Sequence, residues 1–338
     1  MDSRVIKGIM IKILKSGILY RGIYLVLLWP FALGAQQAPQ YTLSLLNKYG
    51  FNPAYAGMDA SLSVTGSFKT QWEGLPGKPS FQQLNAHMPV YIINGGAGFQ
   101  LENDALGAEK TLGFTASYNY VYESPFGLFS FGLGLGILQK KLDGSLLRTP
   151  GGIYEGPTIE HNDPILSDET GTGIGPDLQA GVYFINDFIE AGISVQHALG
   201  NMISLNNANQ TQFQLKRNYY LFAEYSYRIR EDIDIYPGVL IKSDLIQTQT
   251  DLTLRAEYLS IYFGGLVIRG HSGNTFDAVG IIMGAKVSKQ LTLGYAYDAP
   301  VSKLRKFTDG THELLINYNL GEPIGLGRPE KIIYNPRH

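Results

Sequence analysis

Thr111-Leu112-Gly113-Phe114-Thr115-Ala116-Ser117-Tyr118-Asn119-Tyr120-Val121-Tyr122 is the stretch that decides the fold. Leu112, Phe114, Ala116, Tyr118, Tyr120 and Tyr122 fall on one face; Thr111, Gly113, Thr115, Ser117 and Asn119 fall on the other. Strict alternation is the period of a strand, whose successive side chains point to opposite sides of a sheet. The apolar face persists over about ten residues, the length a tilted strand needs to cross the hydrocarbon of a bilayer.

The same pattern recurs down the chain. Phe129, Phe131, Leu133, Leu135 and Ile137 alternate with Ser130, Gly132, Gly134 and Gly136. Tyr219, Leu221, Ala223, Tyr225 and Tyr227 oppose a face carrying Glu224, Ser226 and Arg228, and Leu252, Leu254, Ala256 and Tyr258 oppose Thr253, Arg255 and Glu257. Such segments lie near 61–70, 80–89, 94–101, 110–121, 127–139, 174–185, 188–198, 213–228, 233–242, 249–257, 261–268, 276–287, 291–298 and 311–320. They number about fourteen, an even count as bacterial outer-membrane barrels have. The odd connections 71–79, 102–109, 140–173, 199–212 and 299–310 are long. The even ones at 122–126, 186–187, 229–232, 258–260 and 288–290 are short. Short periplasmic turns opposite longer outer loops are what a transmembrane barrel requires, and both termini then fall in the periplasm. The expected fold is all-β: an antiparallel outer-membrane barrel of about fourteen strands with a plug-like amino-terminal segment.

Composition agrees. The 338 residues include 40 glycines, 22 tyrosines and 16 phenylalanines, only 17% are charged, and mean hydropathy is −0.04. A disordered chain would be poorer in aromatics and richer in charge. Past residue 35 there is no apolar run of the ~20 residues that a spanning helix needs. A propeller would repeat a blade motif every ~40–50 residues, and none recurs. Net charge −2 gives no footprint for a nucleic-acid partner. With no cysteine there are no disulfides, thiolate metal sites or cysteine nucleophiles.

Residues 1–35 read as an export signal. Arg4, Lys7, Lys12, Lys15 and Arg21 precede or flank the apolar stretch Gly22–Trp29, and Ala32-Leu33-Gly34-Ala35 offers a cleavage site before Gln36. Residues 36–60 form a separate amino-terminal segment of the periplasm or lumen, 61–320 the barrel, and 321–338 a Gly/Pro-rich periplasmic tail. The segment either folds back to obstruct the barrel or serves as a tight lead-in to the first strand. In the first case Asn52 satisfies backbone groups locally, Pro53 fixes the entry angle and Tyr55 offers bulk and a hydroxyl to lumen partners. Inward Gly132, Gly134 and Gly136 would make room.

Asn52-Pro53-Ala54-Tyr55-Ala56-Gly57 follows a Gln-rich start, Gln36-Gln37-Ala38-Pro39-Gln40-Tyr41. Downstream come Gln71-Trp72 before Gly74-Leu75-Pro76-Gly77-Lys78-Pro79, then Gly294-Tyr295-Ala296-Tyr297-Asp298 and Gly310-Thr311-His312-Glu313. In these motifs the chain resembles the PorP/SprF family of Bacteroidetes outer-membrane proteins, tied to type IX secretion and gliding motility. The chain departs from the family at its end, which stops at His338 after Pro336-Arg337. The resemblance implies a non-enzymatic outer-membrane component that supports secretion or surface anchoring. Its implied partners are type IX machinery components or secreted adhesins with carboxy-terminal sorting domains, together with outer-membrane lipid. The alternative is a fatty-acid-channel-like transporter of small apolar molecules. An apolar lumen pocket and a lateral opening would mark the transporter; a polar, filled lumen would mark secretion.

No constellation for catalysis, cofactor or metal stands out. The six histidines are scattered without ligand spacing. His312 and Glu313 are adjacent on a strand and face opposite sides, which reads as a lumen histidine beside a surface or rim carboxylate. Asp232 and Asp234 read as solvated carboxylates at a turn. Lys303, Arg305 and Lys306 form a basic cluster in the last outer loop, solvated or docking an acidic surface.

Overall fold

The computed structural model describes residues 41–154, 160–162, 168–207, 211–271, 275–301 and 303–321. The expected export signal, the stretch 36–40 and most of the expected tail lie outside the described residues. The strands are β1 (Ser63–Thr70), β2 (Ser80–Val90), β3 (Gly95–Leu106), β4 (Glu109–Ser124), β5 (Gly127–Asp143), β6 (Thr170–Ile185), β7 (Ile189–Gln196), β8 (Met202–Ser204), β9 (Gln212–Gln214), β10 (Asn218–Tyr225), β11 (Tyr227–Arg230), β12 (Ile233–Ser243), β13 (Thr248–Tyr258), β14 (Tyr262–His271), β15 (Thr275–Lys286), β16 (Leu291–Pro300) and β17 (Thr311–Asn319). Each barrel strand pairs antiparallel with its neighbour in sequence, β1 pairs with β17, and β10 pairs with both β7 and β12, so the sheet closes. β10 and β11 are two halves of one stave, interrupted at Ser226, whose amide donates to the Phe188 carbonyl at 2.7 Å. Counted so, the barrel has the fourteen staves that the sequence implies, each overlapping one expected segment.

Two expectations change at the rim. The stretch 102–109 is not a long connection: β3 and β4 continue to Leu106 and Glu109 and join through a turn with Gly107 at φ +57°. Its polar residues look like loop because strands leaving the bilayer no longer need an apolar face. Residues 213 and 214, read as the start of the eighth stave, instead join Gln212 in β9, which pairs with β8 in a small hairpin. That hairpin covers an edge. β7 pairs with β6 only from Ala180 onwards, which would leave Thr170–Gln179 open on one side. Asn206 fills the gap, its amide donating to the Thr172 carbonyl and its side-chain oxygen accepting from the Thr172 amide, while Ile203 packs with Leu138 and Leu215. A paired or covered edge removes the template for unwanted strand addition.

The apolar face points outward. Leu135 is 69% exposed and Ile137 57%, whereas Asn119 and Ser130 on the opposite face are fully buried. A soluble β-protein does the reverse; only a lipid-facing wall with a polar interior explains it. Tyr118, Tyr120, Tyr122, Tyr225, Tyr227, Tyr258 and Tyr262 sit outward at the short-turn end, where an interfacial belt of tyrosines belongs.

Candidate functional site

Residues 41–60 run through the interior as three single 3-10 turns, Ser44–Leu46, Lys48–Gly50 and Pro53–Tyr55. The last is set by its own sequence. The Asn52 side chain accepts from the Ala54 amide at 3.0 Å, and Pro53 occupies the first position of the turn, where its missing N–H costs nothing. The segment is bonded to the wall on nearly every side. The Thr42 and Leu43 amides donate to the two carboxylate oxygens of Glu313 on β17, and the Thr42 hydroxyl donates to Asp298 on β16 at 2.6 Å. Lys48 reaches Glu190 on β7 at 2.9 Å and Glu224 on β10 at 3.5 Å. The Gly50 carbonyl accepts from three glutamines: Gln83 on β2, Gln100 on β3 and Gln196 on β7. The Ala54 carbonyl accepts from Asn119 on β4 and Ser130 on β5. Backbone groups taken away from water must be paired, and here the lumen wall supplies the partners that secondary structure does not.

Apolar contacts complete the seating. Leu45, Phe51, Ala54 and Met58 pack with Tyr183, Tyr220 and Phe222 of the wall, and Leu43 packs with Phe263, Val267 and Leu315. Two wall glycines are required by the approach. A Cβ on Gly132 would stand 2.3 Å from the Ala54 nitrogen, and one on Gly181 would stand 2.1 Å from the Asn52 side-chain oxygen. Of the three glycines read as making room, Gly132 faces the segment; Gly134 and Gly136 lie against Thr115 of the neighbouring strand.

The segment has a direction. Thr42 meets Lys69, Arg269, Asp298 and Glu313, all in the half of the barrel that carries the long connections. Ser61 binds Asn319 at the short-turn end, from which β1 starts. The chain therefore descends the lumen from the long-connection half and turns back into the wall.

The ion pairs behind Thr42 form one buried cluster. Lys69 lies between Asp298 and Glu313, 3.4 Å from each, and Arg269 bridges Asp251 at 2.9 Å and Asp298 at 2.8 Å. Between the segment and the long-connection rim is a cavity floored by Asn47, Gly50 and Phe51 and walled in part by Glu102, His197, Tyr220, Leu240, Lys242 and Asp251.

The remaining motif residues sort as follows. Tyr55 packs edge-on against Tyr183, but its hydroxyl donates to Asp59 of its own segment and not to the wall. Ala56 is buried, and Gly57, at φ +73°, donates its amide to His87. The Gln71 amide closes its loop onto the Pro79 carbonyl, while Trp72, at φ +57°, donates its amide to Thr311. Glu73 and Gly310 then join the first and last long connections through backbone hydrogen bonds. On β16, Gly294, Ala296 and Asp298 face inward; Tyr295 and Tyr297 face outward. His312 and Glu313 do face opposite sides, with the roles reversed from expectation. Glu313 is the lumen group, and His312 is outside, bonded to the Tyr295 hydroxyl at 2.6 Å. Asp234 is buried and paired with Arg228 at 2.8 Å, not solvated. Arg305 and Lys306 are exposed on the 3-10 turn Lys303–Lys306. The sequence singles out Glu313 only as a surface or rim carboxylate; its anchoring role and the glutamine ring around Gly50 escape that reading, because nothing in a single strand marks which inward polar residue meets an incoming backbone.

A profile described as type IX secretion system membrane protein PorP/SprF matches residues 33–318. No curated protein matches the chain. Among solved structures, the Ralstonia pickettii toluene transporter TbuX is similar over 79% of this chain and 91% of its own, with TM-score 0.45 and 10% identity. The Acinetobacter baumannii outer membrane protein Omp33 covers 77% and 98% with TM-score 0.44 and 7% identity. A Pseudomonas aeruginosa FadL homologue covers 85% and 96% with TM-score 0.40 and 10% identity. The fourteen-stave barrel with its apolar exterior, and a family match across residues 33–318, lead to one assignment: the chain belongs to the PorP/SprF family, outer-membrane barrel proteins of the type IX secretion system.

Proposed function

We propose that this barrel serves secretion as a closed docking platform. Residues 41–60 act as a plug, the long connections face the cell exterior, and the short turns face the periplasm. Docked on the outer end would be a secreted surface protein, such as an adhesin with a carboxy-terminal sorting domain, or another component of the machinery. The observation that carries the reading is the filled, polar lumen. A solute channel needs a continuous path, whereas here the backbone from Thr42 to Gly57 is bonded to staves around the ring. A small-molecule transporter would offer an apolar pocket and an open path; the lumen cavity has charged groups at Glu102, Lys242 and Asp251 beside apolar ones at Leu43, Phe51, Tyr220 and Leu240, so it is the seated segment, not the lining, that speaks against a channel. The basic Arg305 and Lys306 of the last outer loop belong to the surface available for docking.

The test is deletion of the protein followed by a census of surface and secreted proteins. The expected result is loss of one particular large surface protein with the outer membrane otherwise intact. Unchanged profiles together with impaired uptake of an apolar nutrient would transfer the assignment to transport.

A further inference from the structure

The outward face of β4 and β5 carries a pair of charges that the wall does not compensate. Lys110 stands directly opposite Lys141 in the β4–β5 register, which runs without a bulge. Both side chains are exposed, on the same face as Leu112 and Ile137. Like charges directly opposite on paired strands, with Cβ atoms about 5 Å apart, repel one another. No ion pair among the described residues includes either lysine.

Elsewhere the wall does compensate such pairs. Glu190 lies opposite Glu224, and Lys48 bridges the two. Asp234 lies opposite Glu257, and Arg228 and Arg255 meet them. Glu109 and Lys140, the inward neighbours of the two lysines, are bonded to each other. The counter-charge for Lys110 and Lys141 has to come from outside the chain.

Their level in the wall says from where. Leu84, Leu101, Phe114 and Ile137 form an outward apolar row across β2 to β5. Two residues higher, Gln82, Asn103, Leu112 and Gln139 make a row rich in amides, and two higher again stand the lysines. Lys110 is ten residues along β4 from Tyr120 of the tyrosine belt. At a rise of ~3.3 Å per residue and a strand tilt of about 40°, that span is ~25 Å of height, the thickness of a barrel's apolar band. The belt marks one membrane interface, so the lysines mark the other. Their stems lie along the apolar wall while their ammonium groups reach the headgroups.

We propose that Lys110 and Lys141 together bind a phosphate of an outer-leaflet lipopolysaccharide, with Gln82, Asn103 and Gln139 offering amides to the sugar that carries it. The phosphate supplies the missing counter-charge, and the acyl chains lie on the apolar row below. A lipid fits better than an acidic peptide because the amide and apolar rows continue beneath the lysines on the same face. The proposal needs the long-connection end to face outward, as the docking reading does, but does not need a protein docked there.

The test is native mass spectrometry of the purified mature protein in detergent, with heat-modifiable migration as the check on folding. The probe is diphosphoryl lipid A; the comparators are dephosphorylated lipid A, inorganic pyrophosphate and a Glu-rich peptide. The Lys110→Gln/Lys141→Gln variant should bind the probe at least about tenfold more weakly than wild type, and dephosphorylated lipid A equally well. Lys110→Arg/Lys141→Arg should keep the probe, and Lys286→Gln/Lys289→Gln, at the short-turn end, should behave as wild type. Without lipid, the Gln variant should melt no earlier than wild type, since it loses only a repulsion; an earlier midpoint would make the pair structural and overturn the proposal. Undiminished probe binding by the folded Gln variant overturns it too, as does equal binding of both forms of lipid A by wild type. So does pyrophosphate or the Glu-rich peptide displacing the probe at equal or lower concentration, which would make the ligand a free anion or a protein. Failure here leaves the docking reading standing, because that reading is judged by the surface census of the deletion strain.

Discussion

Thr42 and Glu313, 271 positions apart in sequence, are joined by a 2.7 Å hydrogen bond from the Thr42 amide to the carboxylate. The other oxygen of the same group accepts from the Leu43 amide at 3.1 Å. Glu313 thus ties the first described residues of the chain to its last stave, while holding Lys69, which is wholly buried. Glu313→Gln is expected to destabilise the folded barrel by about 3–5 kcal/mol, because removing one partner leaves a charge buried without full compensation. Glu313→Asp should cost less. The measurement is the temperature at which the compact band on semi-native gels is lost, and an unchanged midpoint would refute the anchor.

Gly132 offers a separate handle on the same segment. Its Cβ position collides with the Ala54 backbone, which cannot rotate away as a side chain can. Gly132→Val should therefore displace residues 52–58 while leaving the closed ring of staves intact. Limited proteolysis of the folded protein is expected to cut within that segment in the variant and to spare it in the wild type. Gly134→Ala is the control, since its nearest contact is the Thr115 methyl at 3.0 Å. Equal resistance of Gly132→Val and wild type would count against the seating.

The staves were legible in the sequence because a lipid-facing strand advertises itself: Leu133, Leu135 and Ile137 must be apolar whatever lies behind them. What lies behind them was not legible. Gly132, Gly134 and Gly136 read alike, yet only Gly132 meets the segment, since which inward gap is filled depends on a chain that crosses the lumen without any period of its own. The same reason reversed the roles of His312 and Glu313. Alternation placed them on opposite faces, but an outward histidine bonded to Tyr295 at 2.6 Å looks polar enough to be inward until the register with β16 is seen. Rim strands beyond the bilayer, such as Glu102–Leu106, lose the alternation and so read as loop.

Topology follows from which end carries the long connections. A protease-cleavable tag placed after Gly151, in the connection between β5 and β6, should be cut in intact cells. A tag placed in the short turn at Pro125-Phe126 should be cut only after the outer membrane is opened. The opposite pattern would turn the barrel over and remove the outward docking face with it.

Conductance separates the plugged barrel from a channel. The wall encloses far more than its own inward side chains, as a ring of fourteen staves does, and the added volume is taken up by residues 41–60. Intact mature protein in planar bilayers is expected to be nearly silent, and a variant lacking residues 36–57 to conduct steadily. The deletion should cost stability as well, since Glu190 and Glu224 lose Lys48 and the Gln83, Gln100 and Gln196 amides lose the Gly50 carbonyl. Folded protein must therefore be selected before recording. Glu313→Gln makes an intermediate case: the segment remains but its upper anchor is weakened, so brief openings should appear in the otherwise silent trace. Large steady currents from the intact protein would mean that the hydrogen-bonded segment does not seal the lumen, and the barrel would have to be read as a path for solutes.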